Sequence, residues 1–494
     1  MGLSDHSLIL KNDKTVWICG RDIYGQLGLG NTGNRSIFTQ VTTNVDDIKS
    51  VYCGGYHTII LKNDGTLWGC GKNDYGQLGL GDTNDRNIFT QVTTNVDDIK
   101  EIYCGLNHTF ILKNNGTLWG TGYNSYGQLG LGDTSNRNTF TQVTTNTDDI
   151  KSVYCGSNHT FILKNNGTLW GTGRNGYGQL GLKDTDNRTT FTQVIINADD
   201  VKLVDCGSEH TLILENDGTL CGCGYNGYGQ LGLGDTNYRT TFTQITTNTD
   251  DIKSVYCGYN HTLILENNGT LWDCGHNNRG QLGLGDTNDR NTFTQVTANA
   301  YNIKEIYCGW DHNFILKNDG TLWSTGYNNY GQLGLGDETN RTTFTQVATN
   351  TDNIKSLSNQ YDIPTIIKVY DLNTGLIETL DTNNFKNIPV DKFEKIKVLY
   401  TNPDETSINC LISFDNKATW KAFTGTSWTT ISDITPNNIL LNGMSMKKIN
   451  NFTKEVLVQG GFTGNIDFRI ALKTNDDTKT PSITKIYIEY KKDN

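Results

Sequence analysis

The stretch Tyr24-Gly25-Gln26-Leu27-Gly28-Leu29-Gly30 decides the fold, because the chain repeats it. The phrase begins again at Tyr75, Tyr126, Tyr177, Tyr228, Arg279 and Tyr330, each start 51 residues after the one before. Two copies deviate: Lys183 ends the fourth in place of Gly, and Arg279 opens the sixth in place of Tyr. A fixed period of this length means one supersecondary unit copied seven times. One unit cannot bury its apolar face alone, so the copies must stack on one another.

Within residues 48–92 the pattern reads as four strands. Ile48–Cys53 alternates, His57–Leu61 follows a Gly-rich turn, and Thr66–Cys70 follows the hairpin Lys62-Asn63-Asp64-Gly65. Asp-Gly supplies the positive φ angles that a tight hairpin turn needs. Phe89–Val92 is the fourth strand, and Asn95-Val96-Asp97-Asp98 turns into the next copy. No stretch shows the three-and-four apolar spacing of a helix. Seven four-stranded units without helices fit an all-β, seven-bladed β-propeller. The chain opens in the His strand of its first copy, and Ile354-Lys355-Ser356-Leu357 is a late strand with no copy of its own. These residues are expected to pair with the blade begun by residues 4–19, sewing the ring and removing its open edges.

The pattern Gly54-x-x-His57-x-x-x-Leu61, Gly65-x-x-Trp68-x-x-Gly71 and Asn73-x-x-Gly76-Gln77-Leu78-Gly79 resembles the regulator of chromosome condensation repeat family. The resemblance spans residues 1–359 and implies that family's seven-bladed propeller. It also implies a choice of roles, since the family holds a nucleotide exchange factor for a small GTPase that binds chromatin, and plain interaction scaffolds. The exchange role implies a hairpin protruding from one blade, and the chromatin contact implies a basic tail. The uniform 51-residue spacing here leaves no room for the first, and the chain has no such tail.

Residues 360–494 have a different texture and are expected to form a separate β-sandwich. Ile366–Val369, Ile396–Leu399, Cys410–Phe414, Ala418–Phe423, Val456–Val458 and Ile483–Ile488 read as its strands. The stretch Ser413–Trp420 resembles accessory sandwich modules of bacterial surface and phage tail proteins, implying attachment or assembly through this part. Trp420 and Trp428 are open to two readings, sugar platform or core packing.

Charge divides the same way. Residues 1–359 hold 25 Lys and Arg against 36 Asp and Glu, a net of −11, while residues 360–494 hold 16 of each. An acidic repeat array is a poor partner for phosphate backbones, which need basic side chains to displace counterions, so no nucleic-acid partner is expected. No apolar run reaches the ~20 residues of a membrane helix, and no membrane insertion is expected. No charged segment followed by an apolar one opens the chain. The expected setting is the cytoplasm or a virion or phage-tail-like particle.

The repeated polar slots carry several readings. Seven histidines share one slot: His6, His57, His108, His159, His210, His261 and His312. Each starts a strand after a tight turn, where a ring nitrogen can bond a local carbonyl. A metal needs three or four ligands converging on one point, so a structural role is preferred. Arg86, Arg137, Arg188, Arg239, Arg290 and Arg341 each follow an Asp four residues earlier, which suits a loop clamp better than a phosphate site. Six cysteines from Cys53 to Cys308 fill one slot; Cys70, Cys223 and Cys274 share another with Thr121, Thr172 and Thr325. Disulfides would not lose their partners in half the copies, so these are read as reduced, buried groups. CxC at Cys221 and Cys223 has no second pair for a metal. No cofactor is expected, and no catalytic set emerges: there is no Gly-x-Ser-x-Gly elbow and no HExxH.

Binding is expected where the copies differ. The Gly-x-x-His turns and the loops that lead into each Tyr-Gly-Gln phrase follow strands of one direction and emerge on one face. There the copies place Tyr56, Tyr123, Arg174, Tyr225, Tyr259, His276, Trp310 and Tyr327, an aromatic and cationic set of the kind that dominates binding hot spots. A protein or glycan ligand is expected on this face; ordinary exposed loop aromatics are the bland alternative. The opposite face gathers Asp46, Asp47, Asp97, Asp98, Asp148, Asp149, Asp199, Asp200, Asp250 and Asp251, and should be acidic and solvated.

Overall fold

The computed structural model describes residues 4–195, 201–246 and 251–357 in full, together with the backbone of eight strands between residues 376 and 490. The chain divides into two compact units, residues 1–360 and 361–494.

The first unit is a ring of seven four-stranded antiparallel sheets, with no helix among the described residues. One blade shows the plan. An inner strand Ile48–Cys53 pairs with the His strand His57–Lys62, then the Trp strand Leu67–Gly71, then the outer strand Arg86–Val92. All six positions of the His strand are buried, whereas the outer strand is buried only at Phe89 and Val92. The outer strand starts three residues before the Phe89 that its apolar pattern marks. The reason is a bulge: Gly69 opposes Thr90 and Gly71 opposes Arg86, so three outer-strand residues, Asn87 to Phe89, stand against the single Cys70. Its thiol instead donates to the Gln26 carbonyl of the preceding blade at 3.5 Å. Thr121 fills the same slot and donates to the Gly76 carbonyl at 2.8 Å, so either residue suits this slot. The eleven cysteines of this unit are all buried.

Inner strands of successive blades are neighbours, which sets them around the axis. The core lies between blades. Leu8, Leu10, Ile18 and Leu27 of the first pack with Val51, Ile60 and Phe89 of the second, each 4% exposed or less. Each such side chain contributes about 1.5–3 kcal/mol by leaving water. The Tyr-Gly-Gln-Leu-Gly-Leu-Gly phrase is the clasp of this interface. A Cβ at Gly28 would lie 2.6 Å from the Phe89 ring, so only glycine fits. Gly30 then donates to the Asn87 carbonyl of the next outer strand at 2.8 Å.

The ring closes twice over. Ile354–Leu357 pairs with His6–Lys11, Ile9 opposite Leu357 and Leu10 opposite Ser356, completing the first blade as its missing inner strand. The seventh copy of the phrase docks on the first blade, Gly336 donating to the Ser36 carbonyl at 2.8 Å.

In the second unit a sheet runs in the order Leu376–Glu378, Asn465–Thr474, Thr406–Ser413, Trp420–Phe423 and Trp428–Ile431, with Ile388–Pro389 also pairing to Asn465–Thr474. Phe393–Tyr400 and Ile483–Tyr490 form a separate antiparallel pair. Of the strands expected from sequence, Ile366–Val369 and Val456–Val458 lie outside the described residues, as does most of Ser413–Trp420.

Candidate functional site: the girdled face of the propeller

The Gly-x-x-His turns meet around the axis at one end of the ring. Backbone hydrogen bonds tie them blade to blade: Ser208 donates to Tyr259, Tyr259 to Trp310, and Trp310 to Ser4, each at 3.1 Å. These bonds bring together three of the expected binding residues. Trp310 lies edge-on between Tyr56 at 5.3 Å and Tyr259 at 5.2 Å, and Tyr24 extends the cluster from Tyr56 at 5.5 Å. Edge-to-face pairs of this spacing add roughly 0.5–1.5 kcal/mol beyond burial. The indole Nε1–H of Trp310 is buried and has no acceptor among the described residues.

The other five expected residues belong to a belt around this cluster. Each loop-lead side chain sits against the Tyr-slot residue of the preceding copy and, in most copies, against its own. Lys72 lies over Tyr24 and Tyr75 at 5.1 and 5.3 Å. Tyr123 contacts Tyr75 and Tyr126 at 4.7 and 6.0 Å. Arg174 covers Tyr126 and Tyr177 at 5.2 and 5.5 Å. Tyr225 contacts Tyr177 and Tyr228 at 4.9 and 5.9 Å. His276 stacks on Tyr228 at 4.3 Å. Tyr327 lies between Arg279 at 5.2 Å and Tyr330 at 5.7 Å, and Arg21 reaches Tyr330 at 4.6 Å to complete the circuit. All eight expected residues are half-buried, since one side of each is spent on this girdle. The loop leads Arg21 and Lys72, which the sequence places on this same face, complete the belt. The structure also adds Tyr24 and Tyr238, which sequence reasoning did not single out for the site. For Tyr238 a signal existed: its slot holds Asn or Asp in the other six copies.

Carboxylates anchor the cations of the belt. Arg21 bonds Asp5 at 3.0 Å and Arg174 bonds Glu209 at 2.6 Å. Burial pushes the Asp5 carboxyl up to about 6 even though Arg21 opposes the shift. Burial likewise raises Glu209 to about 7 against the pull of Arg174 and Gln179.

Beneath the girdle the histidine slot forms a second closed circuit. Each imidazole Nε2 bonds the next blade's side chain: His6 to Thr58 at 2.8 Å, His57 to Thr109 at 2.9 Å, His159 to Thr211 at 3.0 Å, and finally His312 to Ser7 at 3.0 Å. The expectation of a bond to a local carbonyl was therefore wrong in its partner; the link runs between blades. The hydroxyls are already committed as donors, Thr58 to the Gln26 carbonyl at 2.7 Å for example, so Nε2 must donate. His261 fixes the tautomer independently, because its partner Asn313 offers Oδ1 while its Nδ2 donates to the Gln281 carbonyl. Burial drives six of the seven imidazoles down to about 3, and lowers His261 as well, so all are neutral at pH 7. Seven rings each donating to a separate acceptor of the next blade, six hydroxyls and one amide oxygen, cannot share a metal ion. Among the described residues no group of three or more His, Cys, Asp or Glu could hold one.

The Arg slot forms the loop clamp that its spacing suggests. Arg137 Nη2 bonds Asp133 at 2.6 Å while Nη1 bonds the Ser135 carbonyl at 2.6 Å, and this bond holds Asp133 below the usual carboxylate range. On the opposite face Asp46, Asp97 and Asp148 pair with Lys62, Lys113 and Lys164 at 2.6–2.8 Å, so that face is partly neutralised. Asp199, Asp200 and Asp250 lie outside the described residues.

Comparison with known proteins agrees with this architecture. The RCC1-like domain matches residues 4–248, and the regulator of chromosome condensation (RCC1) repeat matches residues 268–316 and 319–360. The Ultraviolet-B receptor UVR8 of Arabidopsis thaliana is 32% identical over 315 residues, covering 62% of this chain and 71% of that protein. The human X-linked retinitis pigmentosa GTPase regulator is 32% identical over 324 residues, 53% of this chain and only 32% of the relative. Yeast RCC1 (Prp20), in a structure bound to Kap60, superposes with a TM-score of 0.62 at 21% identity over 71% of this chain and 86% of that one. Seven clasped blades, the repeat match and the likeness to UVR8 together make this chain a member of the regulator of chromosome condensation (RCC1) repeat family.

Proposed function

We propose that the chain is a non-enzymatic binding protein whose propeller captures a protein partner on the girdled face. The carrying observation is the Tyr56–Trp310–Tyr259 cluster. Three large aromatics meet at the axial end of a rigid ring, and the Trp310 indole N–H there still lacks an acceptor. Aromatics of this kind supply most hot-spot energy in protein interfaces. The names of relatives fit a binding role: a structure of yeast RCC1 is described as bound to Kap60, and another concerns Prp20p binding to Gsp1p and histones. A mouse probable E3 ubiquitin-protein ligase, HERC4, matches over 35% of its own length, so its ligase activity does not transfer by this likeness.

Regulation of a small GTPase is the second reading, favoured by the GTPase regulator among the relatives. The even spacing of the seven copies, without an inserted hairpin, weighs against it. A β-sandwich for residues 360–494, serving attachment or assembly in a bacterial surface or phage-tail-like structure, is carried only by the strand pattern and the module resemblance. The test of the main reading is capture of partners from lysate by the full chain and by a Trp310→Ala/Tyr259→Ala double variant. The variant should lose the captured species while its thermal midpoint and far-UV spectrum stay those of a folded propeller. Undiminished capture by the folded variant refutes the assignment.

A further inference from the structure

The fifth copy of the loop breaks the repeat at neighbouring points, and the breaks assemble one feature. Six copies carry Asn or Asp at the slot of Asn34, Asp85, Asn136, Asn187, Asp289 and Asn340. In each, that side chain accepts a backbone N–H of the same loop, as Asp85 does from Asn73 at 2.7 Å and Asn187 from Asn175 at 2.9 Å. The fifth copy has Tyr238, which cannot accept in this way, so the Asn226 amide loses the acceptor its counterparts keep. The ring goes elsewhere. Tyr238 packs on Tyr177 at 5.1 Å and on Tyr225 at 5.0 Å, and remains 50% exposed.

One glycine, Gly227, makes the space. The slot of Ile23, Asp74, Ser125, Asn278 and Asn329 is glycine only at Gly176 and Gly227. A Cβ at Gly227 would lie 2.4 Å from the Tyr225 hydroxyl, so that ring lies down over bare backbone. Tyr225 also contacts Tyr228, giving four phenol rings in one contiguous set. Their mutual proximity, after burial, holds the Tyr225 hydroxyl above the ordinary tyrosine range.

Charge identifies what this set lacks. Elsewhere in the girdle most rings, though not Tyr123, are served by cations of the chain itself: Lys72 over Tyr24 and Tyr75, Arg21 over Tyr330, Arg279 over Tyr327. Arg174 covers Tyr177 but is tied to Glu209 at 2.6 Å. Among the described residues no Lys or Arg lies over Tyr225, Tyr228 or Tyr238. Aromatic faces attract a cation most strongly when several converge, and the propeller's net charge of −11 draws basic partners from a distance.

We infer that Tyr177, Tyr225, Tyr228 and Tyr238 form a docking point for a basic side chain, arginine or lysine, of the protein partner. The inference rests on the proposed partner face and names the chemistry recognised there. Tyr238→Asn is the natural probe, because it restores the acceptor found in six copies and should leave the fold as stable as before or more so. Binding of the full chain to a fluorescein-labelled (Gly-Arg)6 peptide is followed by anisotropy. A peptide with citrulline in place of arginine keeps the shape and removes the charge. Wild type should bind the arginine peptide saturably and bind the citrulline peptide far less. Tyr238→Asn should weaken the arginine peptide roughly fivefold to thirtyfold, the size of one desolvated cation–π contact.

Equal affinity of Tyr238→Asn and wild type overturns the inference. So does equal affinity for the two peptides, absence of saturable binding, or binding of maltohexaose that Tyr238→Asn alone abolishes, which assigns the platform to neutral sugars. The Trp310→Ala/Tyr259→Ala variant keeps the tetrad intact. Loss of lysate capture there with normal arginine-peptide binding, set beside normal capture by Tyr238→Asn, supports the face and sinks the basic docking point.

Discussion

Two circuits run around the same ring, and they obey different rules. The histidine circuit is fully buried and keeps its residue in all seven copies; only its acceptor varies, from Thr to Ser7 and Asn313. The girdle lies above it, half-exposed, and changes residue in nearly every copy, through Arg, Lys, Tyr and His. A buried hydrogen-bonded link tolerates no replacement that leaves a partner unmet. A stacking link on the surface tolerates anything flat or cationic. The contrast separates what closes the propeller from what is free to acquire a ligand.

Acid should break the inner circuit before anything else. Six of its imidazoles have folded values near 3 and the seventh is lowered too, against an unfolded value near 6.5. Their stabilisation is therefore present above pH 6.5 and lost as pH falls towards 3. Five buried carboxyls act in the opposite sense. Burial raises Asp5 to about 6, Asp22, Asp205 and Glu209 to about 7, and Asp273 well upward. The contribution of the first four is present below pH ~4 and lost as pH rises through about 6–7, and Asp273 acts in the same sense. Between pH 6 and 4.5 the two sets largely offset each other. Below pH 4 the imidazoles act in the same sense as the clamped carboxylates, Asp133 and its counterparts, which are held below their usual range, so the unfolded chain binds more protons than the folded one. Urea-unfolding free energies measured from pH 7 to 3.5 should fall gently, then steeply. A uniform slope across that range contradicts the neutral ring.

Single substitutions sharpen the same contrast. His159→Ala removes a fully buried ring, its bond to Thr211 and its edge contact with Phe161 at 5.9 Å. The expected loss is about 3 kcal/mol, combining cavity and hydrogen bond. His159→Gln, which can place an N–H near the same hydroxyl, should recover part of it. In the girdle, Tyr123→Ala removes two ring contacts at a half-exposed position and should cost about 1 kcal/mol. Denaturant midpoints of the three variants at pH 7 test the ordering. A Tyr123→Ala loss equal to that of His159→Ala would abolish the distinction between the circuits.

The period of 51 made the propeller legible, because seven near-identical phrases admit few architectures. The seam was legible too, from a strand left over at Ile354–Leu357. The site was legible only as a list. Sequence order sets Tyr259 and Trp310 in neighbouring copies, the sixth and seventh, but does not show that Tyr56 of the second joins them, since that contact exists only through closure. The histidine partners were hidden for the same reason: each lies 52 residues away, or 305 at the seam, in a slot that reads as an ordinary strand Thr or Ser. Tyr238 and Gly227 were each visible as exceptions to their slots, but nothing in sequence order shows that the Tyr225 ring lies over Gly227 and meets Tyr238.

One buried exception has no role in either circuit. Asp273 stands where other copies have Gly69, Gly120, Gly171 and Gly222, and its carboxyl is fully buried with neither oxygen hydrogen-bonded among the described residues. Ser324, in the same slot of the next copy, donates to the Leu333 carbonyl at 3.0 Å and so is satisfied. An unmet buried polar group costs about 1–3 kcal/mol. Asp273→Gly should raise stability by about that much at pH 7. Its gain should shrink at pH 4, where close to half of the unfolded carboxyl is itself protonated and the folded acid stays neutral. Asp273→Ser should gain less than glycine if its hydroxyl must displace the Leu282 side chain to find a carbonyl, and as much if it bonds as Ser324 does. Thermal midpoints at the two pH values decide the matter. A loss of stability in Asp273→Gly would mean that the carboxyl is satisfied in solution by water inside the blade interface.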